Sequence, residues 1–76
     1  MTANEFTIKE ANNILKNLPR ICESLSDSPK SLMNHLCQAQ GKLNELRDFY
    51  KLVIEIEPPQ ELFIALSAIE EAQDKI

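Results

Sequence analysis

The side chains with the strongest metal-binding and nucleophilic chemistry in this sequence are Cys22, His35 and Cys37. A closed structural zinc site needs four cysteine or histidine ligands, and only these three are present. His35 and Cys37 are two residues apart, so on a helix they point about 200° away from each other. We therefore expect Cys37 to lie in the core, His35 to lie at the surface, and no metal to be bound.

Nucleophilic catalysis by a thiol requires a cysteine and a histidine within hydrogen-bonding distance, with a third group that orients the histidine. The spacing separates Cys37 from His35, and only tertiary structure could bring Cys22 to His35. Gly41 is the single glycine, which excludes the usual glycine-rich loops that bind phosphate groups. The sequence thus indicates a protein that is not an enzyme, with no cofactor and no small-molecule substrate.

Carboxylates surround the Pro58-Pro59 pair at Glu55, Glu57 and Glu61, and clusters of this kind can bind divalent cations. An acidic first turn is also favoured by the positive end of a helix dipole, so we expect solvated side chains. Acidic and basic residues balance over residues 1–40, and the whole net charge of −4 lies in residues 41–76. This charge disfavours direct binding to nucleic acid or anionic membranes and favours a basic protein partner.

With 76 residues, the chain is expected to form a single helical domain, 1–76. Its apolar runs, such as Leu62–Leu66, are far shorter than the roughly 20 residues of a membrane span. The segment before Glu10 has no apolar run typical of a signal peptide, so we expect a cytoplasmic protein with two free thiols.

Helix signals occur near the N-terminus. The motif Thr7-Ile8-Lys9-Glu10 is a capping box, and Phe6 before it could pack on Ala11 as a hydrophobic staple. Apolar residues then recur at helical spacing until Pro19, which is expected to end this helix. Residues 19–26 are predicted to form a further short turn or two.

A heptad pattern defines the central helix. Ser28 and Pro29 are typical of an N-cap and a first helical position. Apolar residues then alternate in spacings of four and three, forming a seam: Leu32, Leu36, Ala39, Leu43, Leu46, Tyr50 and Val53. Gly41 could end one helix and begin another, but the seam stays in phase across it. We therefore favour a continuous helix from Pro29 to Ile56, in which Gly41 is tolerated or allows a close backbone approach.

The segment Leu52–Glu57 also fits a β-strand, because its β-branched content is high, but no second strand is present to pair with it. Pro58-Pro59 is expected to end the long helix. A last helix over Gln60–Lys75 should then run back antiparallel to it. The fold class is all-α: a small helical hairpin or three-helix bundle built around one long central helix.

Function is expected to reside in the apolar surface, because the end of the long helix is apolar over more than one stripe. We predict a non-enzymatic protein-protein interaction module of the small chaperone, adaptor or inhibitor type, which self-associates as a homo-oligomer or binds a helical partner. Tyr50 is the proposed anchor. The predicted interface comprises Leu43, Leu46, Phe49, Tyr50, Val53, Ile54, Leu62, Leu66 and Ile69. The alternatives are a self-contained regulatory domain that acts on transcription through protein contacts, a subunit of a larger helical assembly, and a seam that forms ordinary internal core.

Overall fold

The computed structural model describes residues 2–76, which form three α-helices. Helix α1 spans Ala3–Ser24, α2 spans Pro29–Phe49, and α3 spans Gln60–Asp74. A π-helical segment, Tyr50–Ile54, directly continues α2. Residues 2–76 contain no strand, so the prediction of an all-α fold is confirmed and the strand interpretation of Leu52–Glu57 is wrong.

The first helix begins five residues earlier than the sequence pattern predicted. Thr2 is the N-cap, and its Oγ1 accepts a hydrogen bond of 3.1 Å from the backbone N–H of Glu5. The motif Thr2-Ala3-Asn4-Glu5 has the same capping-box spacing as the segment that begins at Thr7, and the structure uses the earlier of the two. Thr7 is instead buried inside α1. Phe6 lies within the helix, so the predicted staple does not form.

Pro19 does not end the first helix, contrary to the prediction. Helix α1 continues through it to Ser24, so the predicted separate segment over 19–26 is part of the same helix. Proline in a helix interior removes one backbone hydrogen bond. The turns that flank Pro19 carry Leu18, Ile21 and Cys22, which pack against the core, and this packing offsets the local cost.

The second helix follows the sequence prediction closely. Ser28 is the N-cap and Pro29 occupies the first turn, as predicted, although the Ser28 side chain makes no capping hydrogen bond. The helix is continuous through Gly41, also as predicted. A Cβ atom added at Gly41 would meet nothing within 4 Å, so this glycine is tolerated in open space and does not allow a close backbone approach.

The end of the long helix differs from the heptad prediction. The π-helical turn of Tyr50–Ile54 is wider than an α-helical one, so it rotates the residues that follow Tyr50 out of the seam. Val53, predicted to continue the seam, is 67% exposed as a result. Glu55 has φ 58° and ψ 35°, a left-handed conformation that ends the helical segment before Ile56.

The three helices pack in an up-down-up arrangement. Tyr50 at the end of α2 contacts Asn4 and Thr7 near the start of α1, so these two helices are antiparallel. Leu32 near the start of α2 and Ala72 and Lys75 at the end of α3 line one hollow, so α3 is antiparallel to α2, as predicted. The Gln73 amide of α3 also donates a 3.1 Å hydrogen bond to Oε1 of Gln40 in the middle of α2. The bundle is elongated, with extents of 41 × 19 × 15 Å.

The core is formed mainly around α3. Its buried members come from all three helices: Ala11, Leu32, Leu36, Leu43, Leu62, Ala65, Leu66 and Ile69. Helix α3 packs extensively against both other helices, whereas α1 and α2 contact each other less. The side of the α1–α2 pair that faces away from α3 is therefore left open as a groove.

Candidate protein-interaction surface

Tyr50 connects the end of α2 to the start of α1 through its side chain. Its side chain is 0% exposed, and its hydroxyl forms hydrogen bonds to Oδ1 of Asn4 at 2.7 Å and to Oγ1 of Thr7 at 3.1 Å. The π-helical segment begins at this residue. Tyr50 therefore cannot serve as the predicted surface anchor in the folded chain, because contact with another protein would require it to leave the core.

Other residues of the predicted interface also lie in the interior of the chain. Leu43, Leu62, Leu66 and Ile69 belong to the buried core. Because these four side chains are buried, they pack within the folded bundle and are not exposed for contact with another protein. Periodicity indicates which face of a helix is apolar. It does not indicate whether another helix of the same chain packs over that face.

The remaining predicted interface residues are accessible. Phe49 is 43% exposed and Val53 is 67% exposed, while Leu46 and Ile54 are partly buried. The Phe49 ring lies edge-on to Tyr50, with ring centroids 6.2 Å apart and an interplanar angle of 84°. Phe49 and Tyr50 are thus adjacent aromatic residues with opposite environments, one facing solvent and one facing the core.

Most exposed large hydrophobic side chains gather at one end of the bundle, where the start of α1, the end of α2 with its π-helical segment, and the start of α3 meet. We call this surface the apolar end; it comprises Phe6, Phe49, Leu52, Val53, Ile56, Phe63 and Ile64. Among residues 2–76, Ile76 is the exposed large hydrophobic residue at the opposite end. The sequence did not predict Phe6, Phe63 and Ile64 as surface residues. Phe63 and Ile64 lie next to Leu62 in the sequence, but Leu62 and Leu66 are buried and these two residues are exposed.

A groove between α1 and α2 leads away from the apolar end. We call it the interhelical groove; near the apolar end its walls are Phe6, Leu46 and Phe49, with Glu10, Lys42 and Glu45 along its rim. Further along the same two helices, its lining includes Ile14, Leu18 and Ala39, together with the polar side chains of Asn13, Asn17 and His35. The lining of the groove thus combines apolar side chains with polar and charged ones.

A second hollow lies between the π-helical segment and the start of α3. Ile56, Pro58 and Phe63 form its apolar lining. Arg47 and Lys51 line it together with Glu55 and Glu57, so its basic and acidic groups are equal in number. Glu55 and Glu57 are exposed, as expected for solvated carboxylates.

Cys37 does not lie in the core, contrary to the prediction, but is exposed on α2. Its Sγ accepts a hydrogen bond of 3.7 Å from the Gln73 side-chain amide. His35 is exposed, as predicted, and Cys22 is half-buried against the core. Over residues 2–76 there is no group of three or more His, Cys, Asp or Glu side chains placed to hold a metal ion.

Within the described part of the chain, no helix is both long enough and apolar enough to cross a membrane. Comparison with known proteins gave no match: neither a protein-family model, nor a curated protein, nor a solved structure is significantly similar to this chain. Over residues 2–76 the chain is a small three-helix bundle, and most of its exposed large hydrophobic side chains lie at one end.

Proposed function

We propose that this chain is a non-enzymatic protein-protein interaction module whose contact surface is the apolar end. The observation that carries the proposal is that, over residues 2–76, seven of the eight exposed large hydrophobic side chains lie at this end. Single apolar residues are normal on a protein surface, whereas several gathered in one region are typical of contact sites. Here Phe6 and Phe49 line the same hollows, and Ile56 and Phe63 line another. The buried core below this surface is already complete, so these side chains are not needed to close the fold.

The total accessible surface supports the proposal. It is 5370 Å² for a chain of 8.7 kDa. A compact monomer of this mass exposes about 4700 Å², so the chain exposes about 600 Å² more than its size requires. A standard protein interface buries about 800 Å² on each partner. The excess surface of the elongated bundle is thus comparable in size to the area that one partner buries in such an interface.

Small chaperones, adaptors and inhibitors all share this physical description, since each presents an apolar surface to another folded or folding chain. We place its action in the cytoplasm, where the two cysteines would remain free thiols. The proposed role needs neither a cofactor nor a small-molecule substrate.

The proposal can be tested by site-specific photo-crosslinking in cells, followed by affinity measurement with the purified partner. A photoreactive residue at Val53 should give a defined adduct, whereas the same residue at exposed Glu23, at the far end of α1, should give none. Val53→Asp should weaken binding of the partner about tenfold or more in calorimetry, because a carboxylate would be desolvated in the contact. Equal affinities for Val53→Asp and the control variant Glu23→Lys would refute the proposed surface.

A further inference from the structure

The end of α2 has two available helical registers, one indicated by the sequence and one found in the structure. In an α-helix, the residues three and four positions after Tyr50 lie on the same face as Tyr50, so Val53 and Ile54 would both turn toward the core. The structure instead has a π-helical segment over Tyr50–Ile54, in which Ile54 is half-buried and Val53 is 67% exposed. Apolar residues thus face the core side of α2 in either register.

The backbone of Glu55 is unfavourable in the observed register. Its φ of 58° and ψ of 35° are left-handed. For a residue with a side chain, this conformation is about 5- to 30-fold less populated than the right-handed helical one. An α-helix that continued through Glu55 would remove this cost and would also turn Val53 toward the core. Because Pro58 disfavours a helical backbone at Glu57, such a helix would end at Ile56.

The connection between α2 and α3 acts in the opposite direction. In the structure it comprises residues 55–59, and Ile56 and Pro58 line one hollow together with Phe63 of α3. An α-helix that reached Ile56 would shorten the connection to residues 57–59 and move Ile56 out of it. Antiparallel helices are joined by about two to five residues, so both connections are long enough.

We infer that residues 50–56 form a conformational switch, which exchanges between the observed π-helical form and a minor form in which α2 continues as an α-helix to Ile56. Val53 turns toward the core in the minor form. π-Helical turns and left-handed residues other than glycine are both frequent at functional sites of this kind. Opposing contributions of similar size leave the minor form at about 0.1–10% of the molecules.

The exchange alters the apolar end, because Val53 belongs to that surface only in the π-helical form. A protein that contacts Val53 would therefore shift the equilibrium toward the π-helical form. This consequence rests on the proposed function, whereas the exchange itself is a property of the free chain. Tyr50 precedes the residues that rotate, so its hydrogen bonds to Asn4 and Thr7 hold the rest of the bundle in place in both forms.

Nuclear magnetic resonance of the isotope-labelled full chain tests the inference. Shifts of helix register occur in microseconds to milliseconds, so relaxation dispersion of the backbone amides should show one shared exchange process over residues 50–56. Leu36 and Ile69, in the interior of α2 and α3, should show none. Chemical-exchange saturation transfer then gives the chemical shifts of the minor form. The Cα shift of Glu55 should be helical in that form, whereas a frayed helix end would give a random-coil value.

Two pairs of variants identify the register of the minor form. Val53→Ser should lower its population about fourfold or more, the factor that corresponds to burial of one methylene group. Leu52→Ser is the control and should leave the population unchanged, because Leu52 is 73% exposed and lies on the face of an α-helix opposite to Tyr50. Glu55→Gly should lower the population about fivefold or more, since glycine adopts a positive φ freely, whereas Glu55→Ala should not lower it.

The inference is overturned by a native chain without exchange at residues 50–56, by a minor form with random-coil shifts, or by equal effects of Val53→Ser and Leu52→Ser. The three substituted positions are exposed, and circular dichroism verifies that the bundle of each variant remains folded. If the exchange is absent while a partner still cross-links at Val53, the proposed function stands and only the switch fails. If the exchange is present and no partner cross-links, the switch stands and the proposed function fails.

Discussion

The hydroxyl of Tyr50 offers a sharp test of the packing described above. Tyr50→Phe keeps the buried ring and removes only the oxygen that bonds to Asn4 and Thr7. Thr7 is 1% exposed, so its hydroxyl loses a partner that water cannot easily replace. An unsatisfied buried group costs about 1–3 kcal/mol. Because a helical threonine can turn its hydroxyl toward the preceding turn, we expect a loss of about 1–2 kcal/mol.

This loss is large relative to the stability of so small a domain. At about 0.05–0.15 kcal/mol per residue, the whole bundle is stable by about 4–11 kcal/mol. For domains of this size, each kcal/mol shifts the melting temperature by about 4–8 °C, so Tyr50→Phe should lower it by about 5–15 °C. Thermal and urea unfolding, followed by far-ultraviolet circular dichroism, measure both quantities. Leu52→Ala is the control, since Leu52 is 73% exposed and its replacement should change stability by less than about 0.5 kcal/mol.

A double-mutant cycle with Thr7→Val separates the hydrogen bond from other effects of the substitution. If the two hydroxyls interact as described, Tyr50→Phe/Thr7→Val should be less destabilised than the sum of the single variants, by about 0.5–1 kcal/mol. Additive effects, or a Tyr50→Phe variant as stable as the native chain, would refute the assignment of Tyr50 to the interior.

Three backbone substitutions test other features of the fold. Gly41→Ala should stabilise the protein by about 1 kcal/mol in urea unfolding, because the position is helical and open; a loss of stability would mean that the glycine has a contact partner. Glu55→Gly should raise the free energy of unfolding by about 0.5–1 kcal/mol, because glycine adopts the left-handed conformation of this position without strain. Glu55→Ala should leave the free energy of unfolding unchanged. Equal melting temperatures for these two variants would contradict the positive φ. Pro19→Ala should raise the free energy of unfolding by about 1–3 kcal/mol, and the melting temperature with it, because alanine restores a backbone hydrogen bond within α1. An unchanged melting temperature would indicate that the helix is broken at this position.

The heptad seam shows what the sequence could predict. The spacing from Leu32 to Tyr50 correctly indicated one helix through Gly41, and the Pro58-Pro59 pair correctly indicated an antiparallel return. Both are local signals, since each depends on residues within a few helical turns. Periodicity could not show that α1 and α3 would cover Leu43 and Tyr50, because that depends on packing between distant segments.

The errors at Thr7 and Pro19 have a common physical cause. Local rules rank each capping box and each proline by itself, whereas contacts between distant segments decide which helix ends form in the folded chain. Starting at Thr2 places Asn4 and Thr7 against Tyr50, and continuing past Pro19 brings Ile21 to the core. The π-helical segment at Tyr50 had no local signal in the sequence. It moved Val53 from the predicted seam to the surface.

The central claim is that one chain closes its own core and leaves the apolar end open to another protein. Sedimentation equilibrium over a wide range of concentrations, with thermal unfolding recorded on the same samples, tests it most directly. We expect a monomer of 8.7 kDa at every concentration and one cooperative unfolding transition. An oligomer whose melting temperature rises with concentration, or a monomer without a cooperative transition, would contradict it.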